Sequence, residues 1–243
     1  MFSPALRYSI PGAMHADFAH TAALFSDPGR ASILISLLGG VALPAGQLAL
    51  VANVSPQTAS SHLSQLVGGR LLKVEQQGRH RYYRLADAEV AHAIEALMAV
   101  AGSNRSDAAP RTRASQVPEN LAYARTCYSH LAGWLAVEIA DALQKRGYLA
   151  PETTSSYSLT SRGQEWLKRL GIGFDDSQLR KSRFARPCLD WSERRHHIAG
   201  QLGSAMLERF CQLKWIAPVR ESRAVRVTVE GRRGFRDVLG IAA

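Results

Sequence analysis

The sequence predicts a mainly α fold with small β-hairpin wings, an α+β class, divided into two domains. Three observations carry this. Apolar residues recur at helical spacing over residues 15–101, broken by one Tyr-rich stretch that follows a glycine turn. A small, polar, aperiodic run, Gly102 to Ser115, then reads as a linker. Beyond it the composition changes, all four tryptophans and all three cysteines falling there, and the chain repeats itself. The expected divisions are a flexible arm over 1–14, a first domain over 15–101, the linker over 102–115 and a duplicated domain over 116–243.

Residues 15–25 (HADFAHTAALF) form an amphipathic helical pattern, and His15, Asp17 and His20 read as its solvated face rather than as a metal site. Asp27 is placed to cap a helix that opens on Pro28 and runs through Leu38 to the break at Gly39-Gly40. Pro44 to Ala52 reads as a short helix, and Asn53-Val54 as the turn into the next. There Ser55 caps, Pro56 takes the first helical position, and Ala59, Leu63 and Leu66 make one buried stripe. The other face carries Gln57, Thr58, Ser61, Ser64 and Gln65, with Ser60 and His62 at its flanks. Short, uncharged donors and acceptors suit base edges in a major groove better than bulk water, where Lys and Glu are usual. This arrangement is a helix-turn-helix. Leu71–Glu75 then reads as a strand, Gln76-Gln77-Gly78 as a turn and Arg79–Leu85 as the returning strand. Arg79, His80 and Arg81 cluster near the tip, where a basic wing meets backbone phosphate or a minor groove. Asp87 caps a last helix to about Ala101, with Val90, Ala93, Ile94, Leu97 and Met98 on its apolar side.

Asp27-Pro28-x-Arg30 leading into Ile33-Leu34 and Leu37, then Ser60-Ser61-His62-Leu63, then Gly78-Arg79 and Tyr82-Tyr83-x-Leu85, resemble the ArsR-type winged helix-turn-helix transcription regulators over roughly residues 15–100. The resemblance implies DNA binding by Gln57, Thr58, Ser60, Ser61, His62 and Gln65 in the groove, and by Arg79, His80 and Arg81 on the wing. It also implies a homodimer joined through the first and last helices, and repression relieved by an effector. Dimerisation has a physical motive too, because one recognition helix spans few base pairs and two symmetric copies read a pseudo-palindromic operator. The family's metal sites do not transfer. Gln47–Val51 contains no cysteine, and His92-x-x-Glu95 supplies only half of the site that other members carry on the last helix. The long tail resembles that of a subgroup of the family.

At 243 residues, 46% of them hydrophobic, the chain has room for two ordinary cores. No apolar run approaches membrane-spanning length, and residues 1–12 lack a signal-peptide core. Three cysteines without an export signal read as cytoplasmic thiols. The net charge of +10 points to a polyanionic partner, yet up to Ala101 seven Lys/Arg face six Asp/Glu, leaving about +9 for the tail. The tail's cationic surface therefore serves DNA or something else; charge alone does not choose.

His130-Leu131-Ala132-Gly133-x-Leu135 returns as His197-Ile198-Ala199-Gly200-x-Leu202, and Gly147-Tyr148-Leu149-Ala150-Pro151 returns as Lys214-Trp215-Ile216-Ala217-Pro218. One residue of slippage later, Leu159-Thr160-x-x-Gly163 returns as Val227-Thr228-x-x-Gly231. Two copies of helix, short strand, Thr-x-x-Gly turn and helix are expected, each resembling half of a winged helix and too small to bury its own face. The two should pack about a pseudo-twofold, bringing Cys127 and His130 toward Cys188 and His197. Three effector chemistries fit the Cys/His/Trp/Arg content. Cysteine and imidazole suit zinc or a similar ion. Arg194 and Arg195 beside a thiol favour oxidant sensing. Trp134, Trp191, His196 and those arginines suit a small organic or anionic ligand. Against all three stands a core-thiol reading, with the Asp190–Arg195 run (DWSERR) as a helix cap. DNA binding itself calls for no cofactor. Two rivals remain open at this stage: an enzyme with its site in the tail and a vestigial DNA-binding module, and a basic architectural or RNA-binding protein.

Overall fold

The computed structural model describes residues 12–103, 118–181, 183–220 and 222–243, leaving aside the side chains of 12–16 and 102–103. Most of the expected arm and linker lies outside the described residues. The first helix, however, begins at Gly12, within the expected arm, and the helix after the wing ends at Ser103, within the expected linker. Two compact units result: the described residues up to Leu37 with Val41–Ala86, and Leu38–Gly40 with Asp87–Ala243. No described helix is long and apolar enough to cross a membrane.

The first unit contains α1 (Gly12–Phe25), α2 (Pro28–Ser36), β1 (Leu43–Pro44), α3 (Ala45–Ala52), α4 (Pro56–Gly68), β2 (Leu72–Gln77) and β3 (His80–Leu85). Its three strands are antiparallel in the order β1-β3-β2. Ile33, Leu34, Leu37, Leu48, Leu63, Leu66 and Leu85 fill the core, the last of these arriving from the wing. Asp27 caps α2 by accepting the Arg30 N–H at 2.8 Å. The helix stops at Ser36, short of the expected Leu38, because the Leu37 N–H turns back to the Leu34 carbonyl and tightens the last turn. The wing strands pair through Gln77↔His80, so the turn is Gly78-Arg79 rather than Gln76-Gln77-Gly78. Gly78 at φ +58° supplies the left-handed residue that a two-residue hairpin needs.

The second unit begins with α5 (Ala88–Ser103), capped by Asp87, whose Oδ1 accepts the N–H groups of Glu89 and Val90. Expected as part of the first domain, α5 belongs by its packing to the second: Val90, Ala91, Ile94 and even Glu95 are buried. After α6 (Glu119–Tyr123) come two copies of one pattern, hairpin–helix–hairpin–helix. The first copy is β4 (Arg125–Cys127), β5 (His130–Ala132), α7 (Trp134–Lys145), β6 (Leu149–Pro151), β7 (Tyr157–Leu159) and α8 (Ser161–Arg169). Following α9 (Asp176–Leu179), the second is β8 (Arg186–Leu189), β9 (His196–Ala199), α10 (Gly200–Gln212), β10 (Ile216–Pro218), β11 (Val225–Val227) and α11 (Val229–Leu239). Each copy therefore opens on a hairpin absent from the expected pattern. The run expected to cap a helix, DWSERR, is instead the loop 190–195 of the β8–β9 hairpin.

The copies match in detail. Thr160 caps α8 by accepting from Gly163 N–H and donating to the Gly147 carbonyl, and Thr228 caps α11 through Gly231 and Lys214 in the same way. Gly133 and Gly200, at φ +87° and +84°, open α7 and α10 where a Cβ would strike the carbonyls of a neighbouring segment. The one-residue slippage lies in the loops, 219–224 being longer than 152–156. One shared core joins the copies, with Leu135, Ile139, Tyr148 and Trp166 from the first meeting Leu202, Met206, Phe210 and Phe235 from the second. Neither copy could bury these faces alone.

Candidate DNA-reading face and buried thiol–imidazole cluster

The α3–α4 turn passes through Asn53 in the left-handed region, φ 52°. Ser55 then caps α4, its Oγ accepting the Thr58 N–H at 3.1 Å and pairing with the Thr58 hydroxyl at 2.8 Å. Ala59, Leu63 and Leu66 are buried, which turns Gln57, Thr58, Ser61 and Ser64 outward. The other expected contacts are engaged within the unit. Ser60 donates to the Pro56 carbonyl, as hydroxyls inside helices do. Gln65 accepts from Arg30 at 2.8 Å, while Arg30 also donates to the carbonyls of Ala23 and Leu24. His62 is half-buried, its Nε2 lying 3.5 Å from Asp27 Oδ1. On the wing, Arg79, His80 and Arg81 are exposed, and the Arg81 guanidinium lies 5.7 Å over the Tyr83 ring.

The second unit gathers its chemistry inward. Cys127 opposes His130 across β4–β5, and Cys188 opposes His197 across β8–β9, so each hairpin offers one sulfur and one imidazole. All four side chains are buried, and their ligand atoms lie within 4.8 Å of one another. The two Nε2 atoms face each other at 3.0 Å. Behind them sits Asp190, fully buried, its Oδ2 3.3 Å from His197 Nδ1 and accepting the Gly133 N–H at 2.7 Å. Its Oδ1 accepts from Arg125 at 3.0 Å and from the backbone of Ser192 and Glu193. Arg125, buried between Asp190 and the Trp191 ring, also lies 3.9 Å from Glu95 of α5, which Arg223 approaches at 3.3 Å.

These contacts set the protonation states. The Cys127 thiol, donating toward Cys188, holds that sulfur well below the usual thiol range despite burial, with both imidazoles assisting. The same bond, with burial, pushes Cys127 up. Burial lowers His130 to about 4. Burial also opposes charge on His197, but Asp190 and Cys188 raise it to about 9. Asp190 would be raised by burial, yet His197, Arg125 and Ser192 hold it far below the carboxylate range.

Of the effector candidates, Cys127, His130, Cys188 and His197 meet. The rest do not join them. Trp134 stacks on Tyr123 with centroids 5.4 Å apart and lines an open groove with Glu138 and Asp141. His196 and Arg194 are exposed, and Arg195 pairs with Glu138 and Asp141, so neither arginine sits on a thiol. Trp191 takes part only through Arg125. Sequence reasoning missed Asp190, Arg125, Glu95 and Arg223 as a group. A Cys188-x-Asp190 spacing within a hairpin was the one available signal.

No family model matches the chain. It is 42% identical over 228 residues to YdfF of Bacillus subtilis, described as an uncharacterized HTH-type transcriptional regulator, covering 94% of this chain and 99% of that one. A second likeness, 41% over 75 residues, is to the HTH-type transcriptional regulator CmtR of Mycobacterium bovis, covering 31% of this chain and 63% of the relative. Among solved structures, a homodimeric winged helix-turn-helix domain from Mycobacterium bovis, described as possibly of the ArsR family, aligns at 24% identity and TM-score 0.35. It covers 40% of this chain and 90% of its own.

Proposed function

Since this chain belongs to the HTH-type transcriptional regulators, we propose that it binds a pseudo-palindromic operator through an ArsR-type winged helix-turn-helix at its N-terminal end, as a homodimeric repressor whose affinity the C-terminal unit controls. The observation that carries the reading is the outward face of α4. Gln57, Thr58 and Ser61 are exposed and uncharged, on a helix whose first turn the Ser55 cap holds through Thr58. They enter the major groove, and Arg79, His80 and Arg81 touch phosphate. Ser60, His62 and Gln65 flank that face; the Arg30–Gln65 and Asp27–His62 contacts make them supports for the helix as much as readers.

Support for the dimer comes from apolar side chains left exposed on two helices, Phe18 of α1 at 73% and Leu97 of α5 at 50%. Support for control by the tail comes from α5 itself. It follows the wing strand directly in the chain, and its Glu95 is buried between Arg125 and Arg223 of the second unit. A coupling of roughly 1–3 kcal/mol suffices to change operator affinity several-fold to a hundredfold. The reading places the protein in the cytoplasm, with an ion or small molecule as effector. The two copies of the tail serve it as winged-helix-like halves that present the effector site.

Fluorescence anisotropy on the duplex upstream of the chain's own gene, against a scrambled duplex, tests the reading. The wild type should prefer its own region by at least about 1000-fold, and Leu97→Glu should both yield monomers in sedimentation and lose tight binding. Equal grip on both duplexes would sink it.

A further inference from the structure

Four donors from two hairpins converge on one buried point, and none of the DNA-reading machinery uses them. We infer that Cys127, His130, Cys188 and His197 form a four-coordinate site for a divalent ion of zinc's class, built where the two copies meet. The inference goes beyond operator recognition and stands independently of it.

Cross-strand neighbours project from the same face of a hairpin, so the pairings Cys127↔His130 and Cys188↔His197 each aim one sulfur and one nitrogen the same way. Packing the hairpins together then yields two sulfurs and two nitrogens with every ligand atom within 4.8 Å of the others. The 3.0 Å between the two Nε2 atoms is close to the edge of about 3.3 Å that metal–nitrogen bonds of about 2.0–2.1 Å make at a tetrahedral angle. Two ring nitrogens pointed at one another have room for a single hydrogen between them. A cation bound off the line between them satisfies both lone pairs.

The surroundings fit a metal as well. His197 has its other nitrogen, Nδ1, within ion-pair distance of the Asp190 carboxylate, 3.3 Å, on the side where metal-bound imidazoles commonly find a carboxylate. Asp190 is in turn held by Arg125 and the Gly133 N–H, so the ring is oriented before any ion arrives. Charge balances: Arg125 and Arg223 match Asp190 and Glu95, and a dication with two thiolates adds nothing to that sum. Its entry displaces the Cys127 thiol proton and the Nε2 proton of His197. Two thiolates select against magnesium and calcium. With four protein ligands, all buried, no coordination position is left for substrate, and the ion acts as a rivet between the copies.

The test uses the full chain purified under reducing conditions with no metal added. Elemental analysis and native mass spectrometry should report one zinc per chain. Cobalt(II) introduced after chelation should give the intense visible bands of a tetrahedral ion and thiolate charge transfer. Cys188→Ala should abolish both signals. Should that variant not fold, the wild-type cobalt spectrum decides alone. Asp190→Asn should keep the ion but weaken it 10–100-fold. Weakly absorbing six-coordinate cobalt, a melting temperature indifferent to zinc, bound copper or iron instead of zinc, or a mass two hydrogens light from a Cys127–Cys188 disulfide would each overturn the assignment.

Discussion

The wing hairpin β2–β3 and the repeat hairpin β4–β5 turn the same way. Each bends on two residues, Gly78-Arg79 and Tyr128-Ser129, and in each the first lies in the left-handed region, at φ +58° and +56°. Each also begins its returning strand with a histidine, His80 in one and His130 in the other. Yet His80 is exposed among arginines, while His130 is buried against Cys188 and His197. Backbone geometry therefore does not assign a role to either hairpin. What covers the side chains does. In water the hairpin offers mobile positive charge to a polyanion, and in the interior the same register positions become fixed, oriented donors.

Cutting the buried side of this contrast should cost most. Arg125→Ala strands Asp190 and weakens the setting of Glu95, and removing one partner of a buried pair destabilises by about 3–5 kcal/mol, read as a shift in the urea midpoint. If Arg125 instead behaves like an exposed wing arginine, the midpoint will hardly move and the contrast collapses. Next comes the outward face of α4: Gln57→Ala should lose about 1–3 kcal/mol of discrimination between operator and scrambled duplex while folding normally. Arg79→Ala sharpens the comparison differently. It should weaken all duplexes alike and reduce the slope of log affinity against log salt by about 1. The smallest effect belongs to the turn. Gly78→Ala meets open space, so only the left-handed backbone penalises it, by about 1 kcal/mol of stability.

The same contrast explains what could be read from the residues in order. The cap at Ser55, the stripe of Ala59, Leu63 and Leu66, and the basic tip at Arg79–Arg81 are local patterns, governed by neighbours within a few positions. They appear in the structure where spacing put them. The approach of Cys127 to Cys188 was visible too, because the repeat made His130 and His197 equivalent and a thiol lies near each of them in sequence. Asp190 was not, since it lies in a polar loop that looks like a helix cap until Arg125 and His197 arrive from other strands. Glu95 was obscured in the same way. On an isolated helix it is an ordinary surface carboxylate, and only Arg125 and Arg223, both from far along the chain, make its burial tolerable. Burial also shifted α5 from the first unit to the second, which periodicity along one helix cannot signal.

Each copy of the tail carries one thiol and one imidazole toward the shared centre, and no more. A single ancestral copy could thus have completed the set only by meeting its twin, as a symmetric pair of separate chains. Within one chain the two halves meet without any association step and need not be identical, as Trp166 in one copy and Gly234 at its counterpart show. Severing the chain between α8 and α9 should leave two fragments that recognise each other.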